Sequence, residues 1–152
     1  MEPFIVGTKV LSIMGTDIII KGLTATTSSI GSLMKNIYSY DKPGADEVKK
    51  QLDEIDLQYM INIMEELVKE CSRDDLPISV KKSIEGVTYI LDKIDDELRD
   101  INESINEHKK KYFNRWRGFN CKYSINSIKY HKNLLDQRYK ILIDLLMIYH
   151  NK

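Results

Sequence analysis

Between residues 84 and 112 one apolar pattern leaves the chain little choice of fold. Ile84, Val87, Leu91, Ile94, Leu98, Ile101, Ile105, His108 and Tyr112 follow one another at alternating spacings of three and four. Nine positions in that register predict a single long helix with a narrow seam, because only a helical period keeps such residues on one side. Asp74, Asp75 and Pro77 supply start signals upstream, and Gly118 with Asn120 supplies a stop. Gly86 lies inside the pattern at a cost of about 1 kcal/mol relative to Ala, which so long a seam absorbs.

The same period returns at Ile128, His131, Leu135, Arg138, Leu142, Leu145 and Tyr149. Leu134, Ile141 and Ile148 widen it into a stripe broad enough for two neighbours. Upstream, Val48, Leu52, Ile55, Tyr59, Ile63, Leu67 and Cys71 predict another helix, opened by the turn at 41–44 and closed by SRDDLP at 72–77. Ile19, Leu23, Thr26, Ile30, Leu33 and Ile37 predict a helix too, although Ile18 to Ile20 and the run TATTSS favour strand or loop by propensity. Gly7, Gly15, Gly22 and Gly31 would line a thin stripe on that helix, or Gly15 would separate an N-terminal arm at 1–15 from the helix proper. Short connections make neighbouring helices antiparallel. The expected architecture is a single all-α domain over residues 1–152, an antiparallel four-helix bundle with long third and fourth helices.

A chain of 152 residues buries enough surface for one such core. Cys71 and Cys121 lie fifty residues apart, which suits a reducing compartment better than a disulfide scaffold. The first twenty residues lack the pattern of a signal peptide, and Lys9 and Asp17 interrupt what would otherwise approach a membrane span. A cytoplasmic protein is expected. The 21 Ile, 18 Lys, 9 Asn and 9 Tyr, with Lys outnumbering Arg 18 to 5, point to an AT-rich genome, as in many large cytoplasmic DNA viruses and some protists, and a virus-encoded protein is expected.

Lys plus Arg (23) balance Asp plus Glu (23), but the two signs are segregated along the chain. Residues 46–107 hold 18 acids and 8 bases, net −10, whereas residues 108–135 hold 8 bases and no acid, net +8. The bases of that second stretch are Lys109, Lys110, Lys111, Arg115, Arg117, Lys122, Lys129 and Lys132. Interleaved with them are Trp116, Tyr112, Phe113, Phe119, Tyr123 and Tyr130. Cations and flat rings on one helix-hairpin tip suit an acidic protein surface or a second copy of the chain, anionic lipid headgroups, or nucleic acid, expected in that order. Aromatic rings there also cap the core, and Lys109 to Lys111 suit the C-terminal dipole of their helix.

Measured from the turn at Gly118, His108 and His131 fall roughly level, and Arg138 falls opposite Leu98, beside Glu97 and Asp100. The expected role of all three is to set helix register, Arg138 through an ion pair. Asp95, Asp96, Glu97 and Asp100 read as a solvated acidic face. No phosphate loop, nucleophile elbow or metal-ligand spacing occurs, so neither catalysis, nor a cofactor, nor a metal is expected.

The second half, with a long amphipathic helix, then KYFNRWRGFN, then a helix ending LLDQRYKILIDLL, resembles the HeLo-type bundles of cell-death effectors. MEPFIVGTKVLSIMG is similar to the membrane-seeking first helix of the fungal members, although Lys9, Asp17 and Lys21 depart from it. The resemblance implies oligomerisation and attachment to anionic membranes through Lys109 to Lys111, Arg115 and Arg117. The leading expectation remains a non-enzymatic interaction or assembly module that binds through the basic aromatic tip. Membrane association comes second and nucleic-acid binding third.

Overall fold

The computed structural model describes residues 15–41, 43–71, 75–110 and 121–150, and everything described is helical or turn. Its α-helices are α1 (Thr16–Ser39), α2 (Asp46–Glu54), α3 (Leu57–Cys71), α4 (Ile78–Lys110) and α5 (Lys122–His150), with a 3-10 turn at Pro43–Ala45. At 33 and 29 residues, α4 and α5 are the long pair that the seams predict. Buried apolar side chains from Ile19 on α1 to Leu146 on α5 form one contiguous core. Every seam position of α4 from Ile84 to Ile105 is buried in it.

The stretch from Pro43 to Cys71 is not one helix. Asp56 takes φ 60°, a left-handed conformation that ends α2 and restarts the chain as α3. Its N–H donates to the Asp53 carbonyl (3.0 Å), and its own carbonyl accepts from the Met60 N–H (3.2 Å). The break shifts the phase of the apolar face. Val48 and Leu52 are buried before it and Leu57, Ile61, Met64 and Val68 after it, so Tyr59, expected on the seam, is 61% exposed. A Cβ is strained at this φ, more so when β-branched. Asp56→Gly should therefore stabilise the fold by about 0.5–1 kcal/mol and Asp56→Val destabilise it by about 1–2 kcal/mol in urea titrations. The opposite order would mean that the helix runs through.

Direction between helices departs from the all-antiparallel expectation. α4 and α5 are antiparallel, since Arg138 donates to the Gly86 carbonyl (2.8 Å) while Cys121 lies beside Ser104, and the Tyr38 hydroxyl of α1 donates to Asp53 of α2 (2.5 Å). α1 and α4, however, run parallel. Thr26 donates to Asp92 (2.8 Å), Ser29 to Asp95 (2.5 Å), Asn36 to Asn102, and the Tyr40 hydroxyl meets His108 Nδ1 (2.6 Å). Partners in that ladder keep a separation of 66 to 68 residues, which only parallel helices can do. α1 is thus laid along the α4–α5 hairpin in the direction of α4.

The ladder explains why α1 is helical despite TATTSS. Its hydroxyls are not competing for their own backbone alone; Thr26 and Ser29 reach across to carboxylates of α4, and Thr27 is fully buried. Thr16 joins the helix starts, its hydroxyl donating to Asp75 (3.2 Å) while accepting from the Leu76 N–H (3.0 Å). Gly15 stands immediately before α1, as the arm reading requires of it, and residues 1–14 lie outside the described residues. A Cβ on Gly22 would meet nothing within 4 Å, and one on Gly31 only Glu65 at 4.0 Å. The glycines therefore do not mediate a close helix contact inside the chain.

Candidate interaction surface

The C-terminal end of α4 and the N-terminal end of α5 bring Lys109, Lys110 and Lys122 to one end of the hairpin. Lys109 and Lys110 end α4 and are exposed, with Lys122 opening α5 and Lys129 following two turns later. Lys111, Arg115, Trp116 and Arg117, with Tyr112, Phe113, Gly118, Phe119 and Asn120, lie outside the described residues. Tyr40, at the end of α1, closes the core here. It is buried, its ring carries the Lys109 ammonium at 5.1 Å, and its hydroxyl bonds His108. Burial pushes the Tyr40 hydroxyl up from its ordinary value. Lys110 lies 4.0 Å from Glu107 with both side chains well exposed, an attraction that water largely screens.

Tyr123 is 82% exposed beside Lys122, and Tyr130 is exposed beside Lys129. These rings do not cap the core; that role belongs to Tyr40.

α2 adds a wall that the linear charge pattern does not reveal. Between it and the start of α5 lies a groove of about 360 Å³, with Glu47 and Gln51 on one side and Cys121, Lys122 and Lys129 on the other. Gln51 donates its amide to Glu47 (2.7 Å), while its Oε1 is buried without a hydrogen-bond partner. The basic end is therefore edged by a carboxylate and an amide, and offers acceptors as well as donors. At the groove's base, burial raises the Cys121 thiol above its ordinary range and outweighs a hydrogen bond with Ser104 that lowers it. A thiol held in its protonated form is a poor nucleophile and a poor metal ligand at neutral pH.

Lys132 does not belong to this surface. Its side chain is 9% exposed, and its ammonium contacts both carboxylate oxygens of Asp136 (2.8 and 3.1 Å). The acid-free stretch ends one residue before that partner, so the pair is invisible to a count by segment. An i, i+4 pair with one member buried serves the helix rather than a ligand.

The register of the hairpin corrects the remaining expectations. Cys121 meets Ser104 and Arg138 meets Gly86, so position sums run near 224, not the 236 of a hairpin folded symmetrically about Gly118. Arg138 consequently reaches a helix carbonyl and the face of Tyr89 (6.0 Å) instead of Glu97 or Asp100. It still ties α4 to α5, but by a charge-assisted bond to backbone. His108 turns to Tyr40 on α1, and His131 Nδ1 lies 2.8 Å from the Ser127 carbonyl of its own helix, so the two histidines are not level. Nor is the acidic run uniformly solvated. Asp95 is buried and holds Arg99 Nε (2.8 Å) and Ser29, while Asp96 and Asp100 are exposed and Glu97 keeps one buried oxygen without a partner.

Among the described residues no three His, Cys, Asp or Glu side chains are grouped to hold a metal ion. No helix among them is long and apolar enough to cross a membrane. Comparison with known protein families, with curated proteins and with solved structures gives no match.

Proposed function

We propose that the protein is a non-enzymatic interaction or assembly module, a helical bundle whose basic end docks an acidic protein surface. One observation carries the reading: Tyr123 stands almost fully in solvent next to Lys122, which lines the α2 groove, at the end of the hairpin that also carries Lys109 and Lys110. A large ring left exposed among cations is a ready anchor for a partner, since aromatic side chains are enriched at interfaces and the charges steer its approach. A protein partner fits better than a bilayer or a nucleic acid because Glu47 and the other acids of α2, Asp46, Asp53 and Glu54, flank the same end. A continuous anionic surface would meet them in repulsion, whereas a protein of mixed charge can place a donor against Glu47 or Gln51 and carboxylates against the lysines. Attachment to an anionic membrane surface, as the HeLo-type resemblance implies, is the second reading, supported by the exposed tyrosines beside lysines. Encoding by a large DNA virus and action in the cytoplasm complete the proposal.

Three probes separate the readings: polyglutamate beads, phosphatidylserine vesicles and single-stranded DNA. The expected result is salt-sensitive retention on polyglutamate, without vesicle flotation or a DNA shift, and its loss when Lys109, Lys110, Lys122 and Lys129 are all changed to Glu. Retention unaffected by those changes would remove the tip as the binding surface. Flotation that depends on them would transfer the function to the membrane.

A further inference from the structure

The outward side of the α4–α5 hairpin carries an apolar stripe whose exposed members no other helix covers among the described residues. On α5 the buried set is Ile125, Ile128, Leu135, Leu142 and Leu146. About 100° around the helix, at one residue's rotation, runs a second set: Tyr123, Tyr130, Leu134, Ile141, Leu145 and Ile148. Ile141 and Ile148 are each 56% exposed, and Leu134 and Leu145 are half-buried. The same side of α4 exposes Ile78 and Tyr89. Arg138, bonded to the Gly86 carbonyl, fixes the two helices edge to edge, and a shallow groove of about 300 Å³ runs between them over Ser79, Ser83 and Gly86. The stripe that suited two neighbours therefore has α4 and the core on one flank and solvent on the other.

Charge on this face is divided along its length. Lys82 and Arg138 lie with the aliphatic residues toward the start of α4, whereas the exposed Asp96 and Asp100 lie with Tyr123 and Tyr130 toward its end. Lys93 sits near the middle, over the Tyr89 ring at 5.1 Å. Such a face is complementary to itself when turned end for end. We propose that a second copy of this chain covers it, related by a two-fold axis that crosses the hairpin at the level of Leu134. With α4 facing α4 and α5 facing α5, both antiparallel, the register of the hairpin sets Lys82 opposite residue 98 of the other copy, within a turn of its Asp100. Leu145 then stands opposite Tyr123 and Arg138 opposite Tyr130, so cation meets carboxylate or ring, and aliphatic meets aromatic.

The extent is adequate. A helix of 29 residues is about 43 Å long, and two helices side by side are roughly 18 Å across. The face thus offers roughly 750 Å², close to the ~800 Å² per partner of a stable interface. This surface is separate from the basic end and does not depend on the function proposed there.

Sedimentation equilibrium of the full chain tests the assignment. A dimer is expected, and Ile141→Asp should give a monomer with an unchanged helical circular-dichroism spectrum. Lys82→Asp and Asp100→Lys should each weaken the dimer by about tenfold, and combining them should restore it, since the reversed pair is again complementary. A cysteine at the axis, Leu134→Cys, should cross-link to its own copy under mild oxidation, and Ile148→Cys should not. A wild-type monomer at the highest soluble concentration overturns the proposal. So does cross-linking at position 148 but not at 134, or dissociation of the dimer by the four lysine-to-glutamate changes of the basic end, which would move the contact to the tip.

Discussion

Asn102→Asp is expected to cost about 3–5 kcal/mol at neutral pH, a large part of the ~5–15 kcal/mol that holds a domain of this size together. Asn102 is buried on the α1 side of α4. Its amide nitrogen donates to the carbonyls of Leu33 (3.2 Å) and Leu98 (3.0 Å), and its oxygen accepts from Asn36. A carboxylate of the same shape would point an anionic oxygen at two carbonyl oxygens and lose both donors. Protonated, it keeps one O–H for one of those carbonyls. The folded state therefore holds the new carboxyl in its neutral form, with a pKa above the ordinary value of about 3.9. Below that value both states are protonated and the penalty is smallest; as pH rises above it, the unfolded state gains by ionising and the variant loses stability relative to wild type. Urea titrations of both proteins from about pH 3.5 to 7 would show the gap widening with pH. A gap that is large but constant over that range would mean that the site is not dry enough to suppress ionisation.

Leu98→Ala should cost about 2–5 kcal/mol, the range for removing a large aliphatic side chain from a packed core. Leu98 is fully buried between the flank of α4 that faces α5, marked by Gly86 and Ser104, and the flank that faces α1, marked by Asp95 and Asn102. Removal of its branched end therefore opens a void where α1, α4 and α5 meet, which their packing cannot readily collapse to fill. Tyr59→Ala is the informative companion. It belongs to an equally regular apolar series, yet the phase shift at Asp56 turns it to solvent, so its loss should stay within about 0.5 kcal/mol. Similar losses at positions 98 and 59 in thermal or urea melts would contradict the break between α2 and α3.

The contrast between those two apolar series shows how much of the fold was legible in advance. Where the period ran unbroken, from Ile84 to Ile105, every seam position is buried, because a continuous helix leaves side-chain direction no freedom. At Asp56 a single residue with positive φ rotated everything downstream, and nothing local in Asp-Leu-Gln-Tyr distinguishes it from an ordinary helical aspartate. At the tip, Lys132 is claimed by Asp136, and the groove acquires Glu47 and Gln51 from a helix seventy residues away, neither of which a count of charges along the chain reveals. Arg138 bonds the Gly86 carbonyl and not the expected acids, since a hairpin's register depends on where its helices end, not on the position of a glycine between them.

By itself the sequence determined an all-helical chain, the long pair α4 and α5, the buried seam of α4 and the separation of an acidic stretch from a basic one. These follow from period and composition, which act within a few turns of backbone. Tertiary structure alone decided that α1 runs parallel to α4, that TATTSS is a bonding face rather than a loop, and that one side of the hairpin is left apolar and charge-divided. Each of those rests on which side chains meet across 50 to 70 residues of chain, such as Ser29 with Asp95 or Gly86 with Arg138. Local propensity carries no information about such meetings, because their energy appears only when both partners have left water together.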